Sequence, residues 1–202
     1  MNGPTKLNLR IALTFDDGPH PKNTEALINI LSKTITPATF FVLGQNGRRW
    51  PHILRLMHEA GHEIGNHGWS HTSFDSLRDA DVLHELSQTS DLIRQVSSQD
   101  CSIYRPPYGV IAERQRILVA EHLGLRLVRW NVDSLDWQRP RIDQLIRNVA
   151  NLTTKSAILL FHDFCDVTHD ALPRLIDTLL TCNGTFYTVS QIWNLATETR
   201  LP

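Results

Sequence analysis

Apolar runs at Ile11, Ala12 and Leu13, over 38–43 and over 157–161 are short and bounded by turn residues, which predicts buried strands. Between them, apolar positions recur at helical spacing. Ala26, Leu27, Ile30 and Leu31 predict a helix over 21–33, with Asn23 or Thr24 as its cap. Ile53, Leu54, Leu56 and Met57 predict another beginning near Pro51, a favoured first-turn position for proline. Val82, Leu83, Leu86, Ile93 and Val96 predict a long helix over 77–97, capped by Ser76. Weaker strands are expected at 62–65, 102–104, 125–130 and 185–189, and further helices at 111–122, 141–151, 170–181 and from Ser190. Strand and helix thus alternate about seven times, without linker or repeat, which argues for a parallel sheet with helices outside it.

Length turns that pattern into a fold. A closed barrel of eight such units takes about 250 residues, and this chain has 202. The expectation is an α/β fold: a single-domain distorted (β/α)7 barrel, TIM-barrel-like, over residues 8–198, with incomplete closure. An open doubly wound sheet is the alternative, although no G-x-G-x-x-G follows the first strand.

Composition narrows the partners. Net charge is −1 with acids and bases interspersed, so no basic surface suited to nucleic acid is expected. No apolar run approaches the roughly 20 residues that span a bilayer. Residues 1–10 are too short and too polar for a signal peptide, so the chain as written reads as cytoplasmic; it reads as secreted or cell-envelope if an export segment has been removed. Cys101, Cys165 and Cys182 are odd in number and lack a CxxC, so reduced thiols are expected, with a single bridge as the alternative. Oligomeric state has no signal in the sequence.

Chemistry-bearing residues collect just after predicted strands. They are Asp16-Asp17, His67 with His71, Arg105 with Tyr108, Asp133 with Asp136-Trp137, and His162-Asp163. In a parallel barrel every strand opens on one face, so these five groups can meet there. Adjacent carboxylates at a strand end call for a cation or a shared proton. His67 and His71 are four apart; a helical turn would put both rings on one face, and a carboxylate from the first strand end would complete a site suited to zinc, iron or cobalt. The set matches metal-assisted acyl hydrolysis. A carboxylate beside the ion takes the proton of water, His162 protonates the leaving amine, Asp136 holds His162 charged, and Arg105 fixes the catalytic carboxylate. Backbone amides near Tyr108 are suited to an oxyanion, and Trp69, Tyr108 and Trp137 to sugar faces. The plainer readings are solvated turn aspartates, a core Trp137, a turn Asp133 and a surface ion pair at Arg105.

Thr14-Phe15-Asp16-Asp17-Gly18-Pro19, His67-x3-His71, Arg105-Pro-Pro-Tyr108, Asp133-x-x-Asp136-Trp137 and Leu160-Phe161-His162 together resemble the five ordered motifs of the NodB-homology polysaccharide deacetylases, carbohydrate esterase family 4. The resemblance runs from about residue 10 to residue 195. It implies metal-dependent removal of N-acetyl groups, sometimes O-acetyl groups, from an acetylated carbohydrate that contains N-acetylglucosamine, such as a chitooligosaccharide, peptidoglycan or an exopolysaccharide. It implies one divalent ion, Zn2+ first and Co2+ or another transition metal next, on Asp17, His67 and His71. Asp16 is then the base, His162 the acid, Arg105 the residue that positions Asp16, and Asp136 the residue that tunes His162. Tyr108 supplies an oxyanion-binding amide, and Leu160 with Trp137 forms a pocket for the acetyl methyl. The family usually carries Ser or Thr directly after the first metal histidine, where this chain has Gly68. Hydrolysis of another C–N bond, as in a cyclic amide, and sugar binding without turnover are the competing readings.

Overall fold

The structure, a computed structural model, describes residues 8–198. Residues 1–7, on which much of the expectation about an export segment rests, lie outside the described residues. Within them the chain forms β1 (Leu9–Asp16), α1 (Asn23–Lys33), β2 (Ala38–Val42), α2 (Gly44–Arg49), α3 (Pro51–Glu59), β3 (Glu63–Asn66) and α4 (Asp79–Ser97). It continues with β4 (Ile103–Tyr104), α5 (Glu113–Leu123), β5 (Arg126–Leu127), β6 (Val132–Asp133), α6 (Ile142–Leu152), β7 (Ser156–His162), α7 (Asp166–Thr181), β8 (Gly184–Phe186) and α8 (Val189–Glu198).

All strand pairs are parallel, in the order β5-β4-β3-β2-β1-β7-β6, with β8 added beside β1. β5 and β6 are neighbours in sequence but end the order, so the sheet curls into a barrel left open between them. This is the expected distorted barrel. β1 is its axis. It pairs with β7 from Arg10↔Ser156 to Asp16↔His162, and its other edge takes β8 low down and β2 higher up.

Alternation along the strands divides the core in two. Leu13 and Phe15 of β1, Leu159 and Phe161 of β7, and Phe40 of β2 face outward, where α1, α3, α6 and α7 cover them. Ala12, Phe41, Ile103 and Val128 face inward, and Val189 and Ile192 of α8 pack against them to close the lumen. Two residues above Ala12 on the same inward face comes Thr14, and two above that Asp16. The lumen is thus apolar at its foot and polar at its mouth. No described helix is long and apolar enough to cross a membrane.

Several boundaries depart from the sequence pattern. The strand expected at 125–130 shrinks to β5, and β6 forms just beyond it, in the stretch read as following the strand, at the opposite end of the sheet order. The long helix starts at Asp79, not after Ser76, because the Ser76 hydroxyl donates to the Ser73 carbonyl (2.7 Å) and sits in a 3-10 turn over Phe74–Ser76. Thr24 does not cap α1: its hydroxyl reaches Asp163, and the His20 ring accepts from the amides of Lys22 and Asn23 instead. The short α2 precedes the helix expected from Pro51, and α7 begins a turn earlier than its apolar spacing indicates. The three cysteines are free thiols.

Candidate active site

The mouth of the barrel is built from β1 outward. Thr14 and Asp16 project inward on one face, and Arg105, just past β4, reaches across to both. Its Nη1 donates to Asp16 Oδ1 (2.6 Å) and Thr14 Oγ1 (2.8 Å). Thr14 donates in turn to the Leu159 carbonyl (2.7 Å), which leaves its lone pairs to the guanidinium. The guanidinium lies 4.2 Å from the Phe41 ring and 5.4 Å from the Trp130 ring. Arg105 is 0% exposed, so it is no surface ion pair. Held between aromatic faces and hydrogen-bonded to one carboxylate oxygen, it sets the direction of Asp16.

Asp17, one residue on, turns the other way, with a left-handed backbone (φ 75°). Its Oδ1 lies 3.3 Å from His67 Nε2 and 3.1 Å from His71 Nε2. Burial works against a charge on Asp17, but the two imidazoles prevail and hold its carboxyl well below the usual range. His67 is buried, and its Nδ1 donates to the Arg105 carbonyl (2.7 Å), which turns Nε2 toward the aspartates. Burial opposes charge on His67 too, yet Asp16 and Asp17 raise its pKa above the ordinary value. The helical turn expected between His67 and His71 is absent. The segment is an irregular loop with left-handed Gly68 (φ 81°) and His71 (φ 66°), and both rings still reach Asp17. Its brace is Glu85 of α4, which accepts from the amides of Trp69 (2.7 Å) and Ser70 (2.8 Å), while the Gly68 amide donates to Asn66 Oδ1 (2.8 Å).

These residues fit a divalent ion. Ligand atoms of Asp17, His67 and His71 all lie within 4.8 Å of one another. Asp17 Oδ1 is buried and accepts no well-formed hydrogen bond among the described residues. A carboxylate oxygen and two imidazole nitrogens converge there, a donor set that transition metals take with open positions to spare.

Beside these three residues stands His162, the register neighbour of Asp16. His162 Nδ1 meets Asp136 Oδ1 (2.7 Å); Asp136 Oδ2 accepts from the His162 amide (2.7 Å) and the Thr168 hydroxyl (2.6 Å). Burial disfavours the imidazolium, but Asp136 outweighs it and the His162 pKa is raised. Cys165 lies within 4.8 Å of this pair; burial pushes its thiol up to about 12, so it stays protonated.

A cleft of about 510 Å3 joins the groups, lined by Asp16, Asp17, His67, His71 and His162 and walled by Tyr108, Trp130, Trp137, Leu160 and Phe164. Trp137 is 54% exposed and is not a core residue. Tyr108 is 65% exposed, left-handed (φ 58°) and 4.7 Å from the His71 ring. Asp133 lines the cleft and also accepts the Leu135 amide, as a turn residue does. Trp69 does not line it. Its indole packs over Gly44, where a Cβ would lie 2.2 Å from the ring. Glu85, Trp130 and Thr168 are supports that motif reading misses, and Thr14 stands in the first motif without a role. Thr14 had a signal, since it shares a strand face with Asp16; Trp130 closes the strand expected at 125–130. Glu85 and Thr168 lie on helices and carry none.

A parallel barrel whose mouth gathers an Asp-His-His cluster suited to an ion, a clamped carboxylate and a carboxylate-held histidine has the layout of a hydrolase barrel. Comparison with known proteins makes the class specific. The family model described as polysaccharide deacetylase matches residues 5–128. Peptidoglycan-N-acetylmuramic acid deacetylase PdaC of Bacillus subtilis is 34% identical over 90% of this chain and 38% of its own length. A chitooligosaccharide deacetylase of Azorhizobium caulinodans is 35% identical over 77% of this chain and 74% of its own. The solved structure of the Bacillus subtilis PdaC deacetylase superposes with a TM-score of 0.88 at 32% identity, covering 97% of this chain and 95% of that one. The chain belongs to the polysaccharide deacetylase family, the NodB-homology class that its motifs resemble. It spans well under half the length of full PdaC.

Proposed function

We propose that this chain removes N-acetyl groups from an oligo- or polysaccharide that contains N-acetylglucosamine, releasing acetate. The observation that carries the reading is the division of the Asp16-Asp17 pair. Asp17 faces His67 and His71, while Asp16 is clamped by Arg105 next to His162. The relatives named for peptidoglycan and for chitooligosaccharides support the substrate class.

A divalent ion on Asp17, His67 and His71 supplies Lewis-acid polarisation of the amide carbonyl and acidifies water there; two nitrogens and one carboxylate suit Zn2+, with Co2+ next. Asp16 accepts the proton of the attacking water, its free oxygen aimed by the Arg105 bond to the other. His162, held charged by Asp136, gives its proton to the departing amine, which cannot leave as an anion. The backbone amide of Tyr108 donates to the oxygen that gains charge, and Leu160 and Trp137 shelter the acetyl methyl.

The test is acetate release from chitooligosaccharides, peptidoglycan fragments and acetylxylan, with elemental analysis for metal. Asp16→Asn should lower turnover by at least about 100-fold with metal content unchanged. Activity that survives complete chelation would overturn the metal assignment. Release from acetylxylan alone would make the chain an O-acetyl esterase.

A further inference from the structure

On the far side of the ion ligands from the cleft lies a second cavity of about 490 Å3. The two share Asp17, His71 and Phe164, so they form one furrow with the ion site on its divide. The second half is walled by the turn before α1, with His20, and by the end of α2, with Asn46, Arg49 and Trp50.

That wall is fixed relative to the ion ligands. The Leu43 amide donates to the Gly18 carbonyl (2.8 Å), Asn46 Nδ2 to the Asp17 carbonyl (2.8 Å), and the Gly44 amide to the Gly68 carbonyl (2.9 Å). Trp50 packs part of its ring on the core and leaves the rest to the cavity. The Arg49 guanidinium lies 5.3 Å from the Trp50 ring centroid, is exposed, and meets no carboxylate among the described residues. The single carboxylate lining this half, Asp17, is committed to His67 and His71. His20 Nδ1 accepts backbone amides, so its ring proton is on Nε2. An indole, a guanidinium and an imidazole donor with no competing acid make a surface for a sugar ring that bears an anion.

We infer that this half of the furrow is a subsite for a sugar carrying a carboxylate, adjacent in the glycan to the sugar whose acetamido group is cut. The placement rests on the deacetylase reading; the anion preference rests on Arg49. A guanidinium fork matches a carboxylate in two hydrogen bonds, and the indole beneath restricts how it turns. The substrate class is a carboxylated N-acetylated glycan rather than a neutral one.

Three tetrasaccharides test this: one alternating N-acetylglucosamine with N-acetylmuramic acid, its counterpart with the carboxyls reduced to alcohols, and the neutral N-acetylglucosamine tetramer. The wild type should favour the acid over its alcohol in kcat/KM by about ten-fold, the worth of one charge-assisted contact. Arg49→Ala should erase that preference, lowering kcat/KM on the acid by about ten-fold more than on its alcohol or on the neutral tetramer, and Arg49→Lys should keep part of it. An equal loss on all three glycans, or no discrimination by the wild type, would overturn the inference. Calorimetric binding to Asp16→Asn protein separates the two readings. Arg49-dependent binding of the acid with no acetate released by the wild type keeps the subsite and removes the deacetylase reading. Acetate release without Arg49-dependent discrimination does the reverse.

Discussion

His62, just ahead of β3, is 4% exposed, packs edge-on to Phe40, and has neither ring nitrogen hydrogen-bonded. Burial pulls its pKa down to about 4 from about 6.5. The unfolded chain therefore binds a proton there that the folded chain refuses. Stability from this residue is complete above about pH 6.5 and is lost as pH falls toward 4, by up to about 3 kcal/mol. His62→Leu should flatten that part of the pH dependence in urea titrations; parallel curves for variant and wild type would count against it. At the mouth the sign is opposite. The His162 pKa is raised because Asp136 outweighs burial, and as the proposed acid it must be protonated to act, so activity should fall as pH rises through that value. Asp136→Asn should move the alkaline limb of kcat/KM to lower pH. A limb that stays put would mean that another group supplies the proton. These residues also mark what sequence can reveal. Asp136 and His162 stand out as polar residues at strand ends, whereas His62 looks like any other histidine, because its character comes from what covers it.

Among the elements, α2 ties the most together. Gly44, which the apolar pattern reads as a strand stop, is its first residue, and Trp69 and Thr89 leave no room there for a Cβ. Gly44→Ala should cost about 1–3 kcal/mol in denaturant unfolding by forcing Trp69 aside. It should also weaken ion binding in calorimetry, because Trp69 lies inside the loop that joins His67 to His71. Unchanged stability would show that the indole shifts freely. The strands divide by how much of each is covered. β1, β2 and β7 are clear in the sequence because both their faces are buried, which gives unbroken apolar runs. For the same reason those runs do not say which face is lumen, so they assign Thr14 no part beside Asp16. β4, β5 and β6 are two residues each and leave hardly any periodic trace. The spacing of His67 and His71 suggested a helix, since spacing reports neither the left-handed Gly68 nor the left-handed His71.

At the scale of the molecule, the open seam between β5 and β6 sets a gradient of order. β1 has ladder partners on both edges and β7 runs beside it for its full length, whereas the seam strands have one short ladder each. Hydrogen exchange should find the amides of β1 and β7 slowest and those of β5 and β6 fastest, with separate opening events. Uniform protection around the barrel would contradict this. Asp17 leaves the end of β1, His67 and His71 follow β3, and β2 lies between them. An ion on these three residues is therefore a rivet across three strands, and two of the three, Asp17 and His71, are held in backbone conformations that cost about 1 kcal/mol or more apiece. Occupancy then reports on the fold as well as on chemistry. The melting temperature should climb with the logarithm of free ion concentration above its Kd, and that climb should survive Asp16→Asn even as turnover drops.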